Sequence, residues 1–455
     1  MTKLTHGRKT RRFGRKPRTL RFPSRCSSLG CASHVSHFMD DRGQALILSA
    51  LCLSLMMGFL AFALDVGLLF VAKRNLQGAA DSAAIAGAAE LNFGDYAAAA
   101  QAASAQNGFT NGSNGVAVSV NPSGTSIPSP LYGAYKNQPG YLEVIVSQSV
   151  STYFMRVFGF NSVTVSARAV GALGSSRNCV YILGTTGDSL SLSNNAQLSA
   201  TSCGIIDDSS SSSAVSVSGG SNVTAASVGV VGGTSTDNSG SKITPGAVTG
   251  IALVSDPLAF LQPPAYSASS CGSDPLTHYG NGGSSYAVGP GSGYSTTQSG
   301  NTVCYTSLSL GVNNDTVTLN PGIYVITGAM SFASGTIPGG QGVTFYLVGT
   351  ASLSIANGAK LDISAPTSGS YDGILFYQDR SDTQAASIQG GANSTLTGIL
   401  YFPDAALTIG NGTSSTFYAP IVAKTLTIGG GSSLVDDDYA SLNPSTPLTS
   451  ARMVE

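Results

Sequence analysis

The chain has 455 residues, enough for two or three domains and a sizeable core, and only 10% of them are charged. Its net charge of −1 conceals a division: half of the 22 Lys+Arg lie before residue 45, opposed there only by Asp40 and Asp41, and the remainder is an acidic body rich in Gly, Ser and Thr. Of the four histidines only His278 lies beyond the basic head, and no nucleophile elbow, zinc-protease or P-loop pattern occurs, which argues against a metalloenzyme, a Ser–His hydrolase and an NTPase.

Residues 1–44 form the basic arm, expected to be disordered and cytoplasmic, with Met39 as an alternative start. Its charges have little aromatic interleaving, so attraction to anionic lipid heads explains them better than nucleic acid, and no nucleic-acid partner is expected. Ala45 to Leu64, "ALILSALCLSLMMGFLAFAL", carries no charge over twenty residues. At 1.5 Å per residue that is roughly 30 Å, a bilayer core. Residues 45–72 therefore read as one transmembrane helix and its exit, with membrane lipid as a partner. Lys and Arg cross poorly, so the arm stays inside and the body is exported from the inner membrane. A cleaved signal peptide is the alternative, because Ala61-Phe62-Ala63 is an A-x-A site. The first acid after the run, Asp65, is expected to mark the helix exit near the outer headgroups.

Beyond Asp65, Val66, Leu69, Phe70 and Leu76 keep helical spacing, and alanine-rich sequence continues to Ala105. Val116/Val118/Val120, Leu142/Val144/Val146 and Val163/Val165 alternate as half-buried strands do. A long helix over a few antiparallel strands would bury both apolar faces, so residues 73–172 read as a small pilin-like α+β stem. Residues 173–178 follow as a linker.

Arg42-Gly43-Gln44, then Asp65-Val66-Gly67, Arg74, Leu76-Gln77, Ala79-Ala80-Asp81 and the run Ala83 to Ala88 together resemble the N-terminal region of TadG-like proteins. These belong to the TadE/TadG-like group of Flp (tight-adherence) pilus assembly. Tyr141 to Ala172 resembles the strand–short helix–strand that follows in that family. The resemblance covers roughly residues 42–172 and implies a membrane-anchored protein whose partners are other pilus-assembly proteins. Its motif falls here on Arg42, Gly43, Asp65, Gly67, Gln77, Ala80 and Asp81. Two features depart from relatives. Leu48 stands where a processed pilin has Glu, so prepilin cleavage is not carried over. Asp207-Asp208-Ser209-Ser210-Ser211 matches the D-x-S-x-S metal motif of von Willebrand A domains, but it opens a serine run without the helix that such a fold needs. It reads as a polar turn.

From residue 179 a phrase recurs: "SLSLSNNAQLSA" from Ser189, "AVSVSGGSNVTA" from Ala214, "SLSIANGAKLDIS" from Ser352, "ALTIGNGTSSTF" from Ala406 and "TLTIGGGSSLVD" from Thr425. Each has two alternating aliphatics, a Gly/Asn turn and another aliphatic. The anchors Ile388, Ile409 and Ile428 recur at about twenty residues, Leu192 and Val217 at a slightly longer step, and Ile355 precedes Ile388 by 33, room for one coil with an inserted loop, which implies stacked coils. Residues 179–440 therefore read as an all-β parallel β-helix, with a β-sandwich as the alternative, and 441–455 as a tail. The body's four cysteines, Cys179, Cys203, Cys271 and Cys304, fit no zinc or redox spacing and suit disulfides in an exported protein. Nearest-neighbour pairing is one of three connectivities.

A solenoid of this kind can also bind or cleave polysaccharide. Asp372, Asp379, Arg380 and Asp382 in "YDGILFYQDRSD" are the candidate carbohydrate residues, since glycoside hydrolysis needs two carboxyls flanking one bond. A rung-capping ion pair or a solvated loop explains them as well, and Asp436-Asp437-Asp438 reads as a terminal turn, not a calcium site. The expected function is thus non-enzymatic, without cofactor or metal. The alternative is a tethered carbohydrate-binding or carbohydrate-active solenoid, with surface polysaccharide as partner.

Overall fold

The computed structural model describes residues 42–121, 130–138, 140–175, 178–273, 283–292, 300–312, 315–333, 335–356, 358–389, 394–410, 416–435 and 447–455. Almost all of the basic arm, and Asp436-Asp437-Asp438, lie outside them. The chain divides into two units, residues 1–64 and 65–455. One helix, α1 (Arg42–Ala89), crosses the boundary. It has no proline, and its Ala- and Leu-rich sequence favours helix at nearly every position. In the first unit its described side chains are mostly apolar and exposed, among them Leu46, Met56 and Phe59, and the hydroxyls of Ser49 and Ser54 bond back to the Leu46 and Leu51 carbonyls. From Ala45 the helix is long and apolar enough to cross a membrane once, consistent with a single-pass anchor.

The second unit begins with the stem. The later part of α1 and a second helix, α2 (Tyr96–Gln106), lie on an antiparallel sheet. Its first three strands are β1 (Val116–Asn121), β2 (Tyr141–Ser151) and β3 (Ser162–Ser175). β2 and β3 pair from Tyr141↔Ala172 to Ser151↔Ser162, and Val118 faces Val146 across β1 and β2. The expected alternation puts Val116, Val118, Val120, Leu142, Val144 and Val146 in one core, under Leu76, Ala80, Ala83 and Ala84 of α1. Alanine is required there because the backbones nearly touch. A methyl on Gly171 would press into the Ala84 carbonyl, 2.8 Å from its carbon, and one on Gly87 would meet the Tyr96 carbonyl oxygen at 2.9 Å.

The stem extends past its expected end. β3 continues through residues 173–175, which the sequence suggested as linker, and residues 449–453 of the expected tail form the sheet's fourth strand. That strand, Thr449–Met453, pairs with β3 from Thr449↔Ser175 to Met453↔Gly171. Five residues without strong alternation carry too weak a local signal. The strand forms because β3 offers an open edge nearly 280 residues earlier.

Between these two strands lies the solenoid. Its short strands stack in three ladders, and the pairings within them are parallel, which sets aside the β-sandwich. The anchors read from the sequence stand in one of these ladders, in register: Ile355↔Ile388, Ile388↔Ile409, Ile409↔Ile428, Ile428↔Leu192 and Leu192↔Val217. Phe345, Phe376 and Phe402 stack in the interior at 5.1 and 6.3 Å between neighbouring rings. The Gly/Asn turns superimpose from coil to coil. Asn194 and Asn195 have φ of 58° and 60°, and Gly219 and Gly220 on the next coil have 61° and 76°. A methyl on Gly219 would sit 2.8 Å from the Asn194 amide nitrogen, so the tight stacking itself demands glycine.

The coils are not stacked in chain order. The first strand, Asn178–Ile182, lies between Gln197–Asp207 on one side and Ile421–Ile428 on the other, with Ile421 opposite Val180. Coils are laid outward from the middle as far as Val248–Thr249. The chain then returns along the outside as a strap, residues 251–273. It resumes at the opposite end near Ser285–Val288 and Thr302–Tyr305 and builds back towards the first coil. About ten coils result. The disulfide Cys179–Cys203 joins the first two coils, and Cys271–Cys304 fixes the end of the strap to the far coil. The nearest-neighbour connectivity is the one present.

Candidate functional site

Asp65 sits at the base of the stem with 1% of its surface exposed. Its carboxylate accepts hydrogen bonds from the backbone N–H groups of Tyr153 (3.0 Å), Phe154 (2.8 Å) and Met155 (2.6 Å). These donors open the short 3-10 helix Met155–Phe158, where backbone N–H groups lack intrahelical partners. Asp65, expected from the sequence to mark the helix exit, ties the β2–β3 loop to α1. Chain distance hid the bond from a sequence reading, since donors and acceptor are about ninety residues apart. The loop carries five exposed large apolar side chains, a signal present in the sequence as "TYFMRVFGF", where it carries no helical or strand periodicity that would say which side they face.

Other motif residues also serve the stem. Gln77 donates to Asp81 Oδ1 (2.7 Å) and to the Arg168 carbonyl (3.0 Å), and Ala80 is fully buried. Gly67 leaves open space where a side chain would be, and Arg42 and Gly43 start α1. Lys73 donates to the Ser166 carbonyl. On the far side of the sheet, buried Glu143 accepts from Arg168, from Asn121 Nδ2 (2.9 Å) and from the Leu131 amide (3.1 Å). Arg168 also pairs with Glu455 at 2.9 Å, closing the network onto the C-terminal residues. Burial pushes the Glu143 carboxyl upward, but its bonds to Arg168, Asn121 and Leu131 outweigh this and hold it below the ordinary glutamate range.

On the solenoid, the candidate carbohydrate residues bond to the fold itself. Asp379 accepts from Tyr346 Oη (2.6 Å) and from the amide and hydroxyl of Ser381 (2.9 and 2.6 Å). Asp382 is buried, accepting from the Ala351 and Gln384 amides at 2.9 and 3.0 Å. Asp372 lies in the turn before Ile374–Gln378. Arg380 reaches away from Asp379 to the strap, donating to the Leu258 and Leu261 carbonyls (2.6 and 3.2 Å) and pairing with Asp256 at 3.4 Å. It also lies over the ring of Tyr401. Beneath the strap Tyr346, Tyr377 and Tyr401 stack at 5.3 and 5.1 Å, a ladder that the sequence shows only as tyrosines at coil spacing. Leu258 and Leu261 cover it.

The D-x-S-x-S stretch makes a coil turn. Asp207 accepts from Ser189 Oγ (2.6 Å) and the Ser209 amide (2.9 Å), while Asp208 takes the Val254 amide at the start of the strap (3.0 Å). Burial raises both carboxyls above the usual aspartate range, and the bonds they accept only partly offset it. Among the described residues no group of three or more His, Cys, Asp and Glu could hold a metal ion.

Comparison with known families finds two matches in the stem region. Residues 43–90 match the family described as "Putative Flp pilus-assembly TadE/G-like", and residues 86–170 match "Putative Tad-like Flp pilus-assembly". The matched span runs from α1 to β3 and includes Asp65 and the loop that it holds; the solenoid follows it. No curated protein and no solved structure matches the chain.

Proposed function

We propose that this chain, whose residues 43–170 carry TadE/G-like and Tad-like pilus-assembly domains, is a non-enzymatic, membrane-anchored component of a Flp/Tad-type pilus-assembly or surface-adhesion apparatus. The observation that carries this reading is α1, a single helix that is an apolar span from Ala45 and a packed stem helix from Leu76. The basic arm stays in the cytoplasm, and the stem and solenoid are exported from the inner membrane, which suits two disulfides. The stem meets other pilus-assembly proteins and the solenoid is the outward interaction surface. A carbohydrate-active solenoid is less favoured, because Asp379, Arg380 and Asp382 are engaged in holding turns and strap.

Crosslinking in cells followed by purification of the full-length chain should recover pilus-assembly proteins, and loss of the chain should impair pili. Protease added to spheroplasts should remove residues 73–455 and spare the arm; protection of a C-terminal tag would overturn the topology. Reducing-sugar release from cell-wall glycans by the purified chain would overturn the non-enzymatic reading.

A further inference from the structure

The loop between β2 and β3 combines two properties that rarely occur together. Its main chain is tied down by hydrogen bonds, and it shows apolar side chains to the outside. Tyr153, Phe154, Val157, Phe158 and Phe160 are 70, 45, 84, 76 and 57% exposed. Soluble proteins seldom present such a contiguous patch without a partner for it. Most of its N–H groups are meanwhile met from within. Asp65 takes the N–H groups of Tyr153, Phe154 and Met155. Thr152 donates to Asn161, Val157 to Phe154, Gly159 to Arg156 and Phe160 to Met155, each through main-chain atoms at 3.0–3.2 Å. Gly159, at φ 87°, permits the reversal. Each N–H group met internally lowers the cost of leaving water for a less polar medium.

The position of the tether points to one medium. Asp65 directly follows the twenty uncharged residues that span a bilayer core, and the next charges are Lys73 and Arg74. Eight residues of helix place Lys73 roughly 12 Å further along the axis. A loop held within hydrogen-bond distance of Asp65 is thus held at the depth where the span ends, below the first basic pair. The same stretch of α1 leaves Leu68, Phe70 and Val71 exposed, so the apolar surface continues from loop to helix. Aromatic residues with one basic side chain, here Arg156, suit the boundary between acyl chains and phosphate heads.

We propose that residues 152–161 form a second membrane contact, which inserts Val157, Phe158 and Phe160 into the outer headgroup–acyl boundary beside α1, with Asp65 as the strut that sets their depth. A protein partner covering the same patch is the competing occupant. The proposal rests on the membrane-anchor reading, and the test separates the two.

The chain contains no tryptophan, so a single introduced one reports alone. Full-length Phe158→Trp, Leu55→Trp and Leu253→Trp are each reconstituted in phospholipid nanodiscs carrying brominated lipids. Leu55 lies mid-span, and Leu253 is an exposed strap residue. Phe158→Trp should emit blue-shifted light and lose more emission to bromines near the headgroup than to bromines near the chain ends. Leu55→Trp should show the reverse order, and Leu253→Trp no loss. Val157→Trp is the second loop probe should Phe158→Trp misfold. Adding Asp65→Ala should reduce quenching of the loop tryptophan and leave that of Leu55→Trp unchanged. Unquenched loop probes with a quenched Leu55→Trp would overturn the lipid contact and give the patch to a protein partner. An unquenched Leu55→Trp would overturn the anchor, and the loop contact with it.

Discussion

Gly171→Ala should loosen the stem, and Gly174→Ala, three residues along the same strand, should not. The methyl added at Gly171 would press against the Ala84 carbonyl oxygen, 2.8 Å from the carbonyl carbon and 2.9 Å from Ala88 Cβ. These atoms belong to the backbone and shortest side chains of a packed helix, so relief requires α1 to lift from β3 by roughly 1 Å. Overpacking of this kind costs about 1–3 kcal/mol. Neither glycine has a positive φ, so alanine also removes unfolded-state freedom, worth about 0.4–1 kcal/mol in favour of the fold. The net expectation for Gly171→Ala is a loss of about 1–2 kcal/mol, or roughly a five- to thirtyfold rise in stem opening. At Gly174 the methyl would meet the Arg452 side chain at 2.9–3.1 Å, and that exposed side chain can swing aside. There the entropic gain survives and the change is neutral or slightly stabilising. Hydrogen exchange of the full-length chain in nanodiscs, read on peptides across Tyr141–Ser151 and the end of α1, measures both. Equal protection in the two variants would refute the close-approach account of the alanine-rich face.

Thiol labelling of the denatured, unreduced protein should miss Cys179, Cys203, Cys271 and Cys304. Removing Cys179–Cys203, which closes 24 residues, should cost about 3–4 kcal/mol on chain-entropy grounds, seen as faster proteolysis of the first coils. Acid should affect stem and solenoid oppositely. Glu143 titrates below its ordinary 4.5, so its contribution is complete above that pH and is lost as pH falls through the depressed value. Asp207 and Asp208 titrate above 3.8, so theirs is complete below that pH and is lost as pH rises through the raised values. The melting deficit of Glu143→Gln should therefore shrink on moving from pH 7 to pH 3, while Asp207→Asn should reduce the solenoid's gain over that range and leave the share that belongs to Asp208. Arg380→Ala should leave the coils intact yet expose residues 251–273 to protease, because the strap loses its bonds at Leu258 and Leu261.

Local chemistry made much of this fold legible. Twenty uncharged residues, the valine alternation of the stem and the anchors from Leu192 to Ile428 each act through neighbours within a turn or a coil, and each appears in the expected element. Cysteine pairing followed the shortest loops. The features that could not be read depend on contacts between distant segments: Asp65 with the 153–155 amides, Arg380 with the strap, and Thr449–Met453 with β3. The reversed stacking order is of the same kind. Every parallel coil presents similar aliphatic ladders, so periodicity fixes the spacing of coils without saying which coil is first. The acids in "YDGILFYQDRSD" suggested carbohydrate chemistry by proximity in sequence, whereas their hydrogen bonds lead to separate turns.

The seam between Asn178–Ile182 and Ile421–Ile428 has a kinetic side. Under N-to-C export, the first coil emerges some 240 residues before the strand that will cover its open edge. At chain synthesis rates of roughly 5–20 residues per second, that edge waits on the order of 10–50 s, long enough for pairing with the wrong chain. Stem closure waits longer still, because Thr449–Met453 emerges after Ile421–Ile428. The outward coils need no such delay. They can stack as they appear, and Cys203 follows Cys179 soon enough to staple the first two while the seam is open. An oxidising compartment with ready disulfide formation would therefore govern how much of the chain matures, apart from any effect on the finished protein. Slowed oxidation should lower the yield of assembled molecules without altering the stability of those that form.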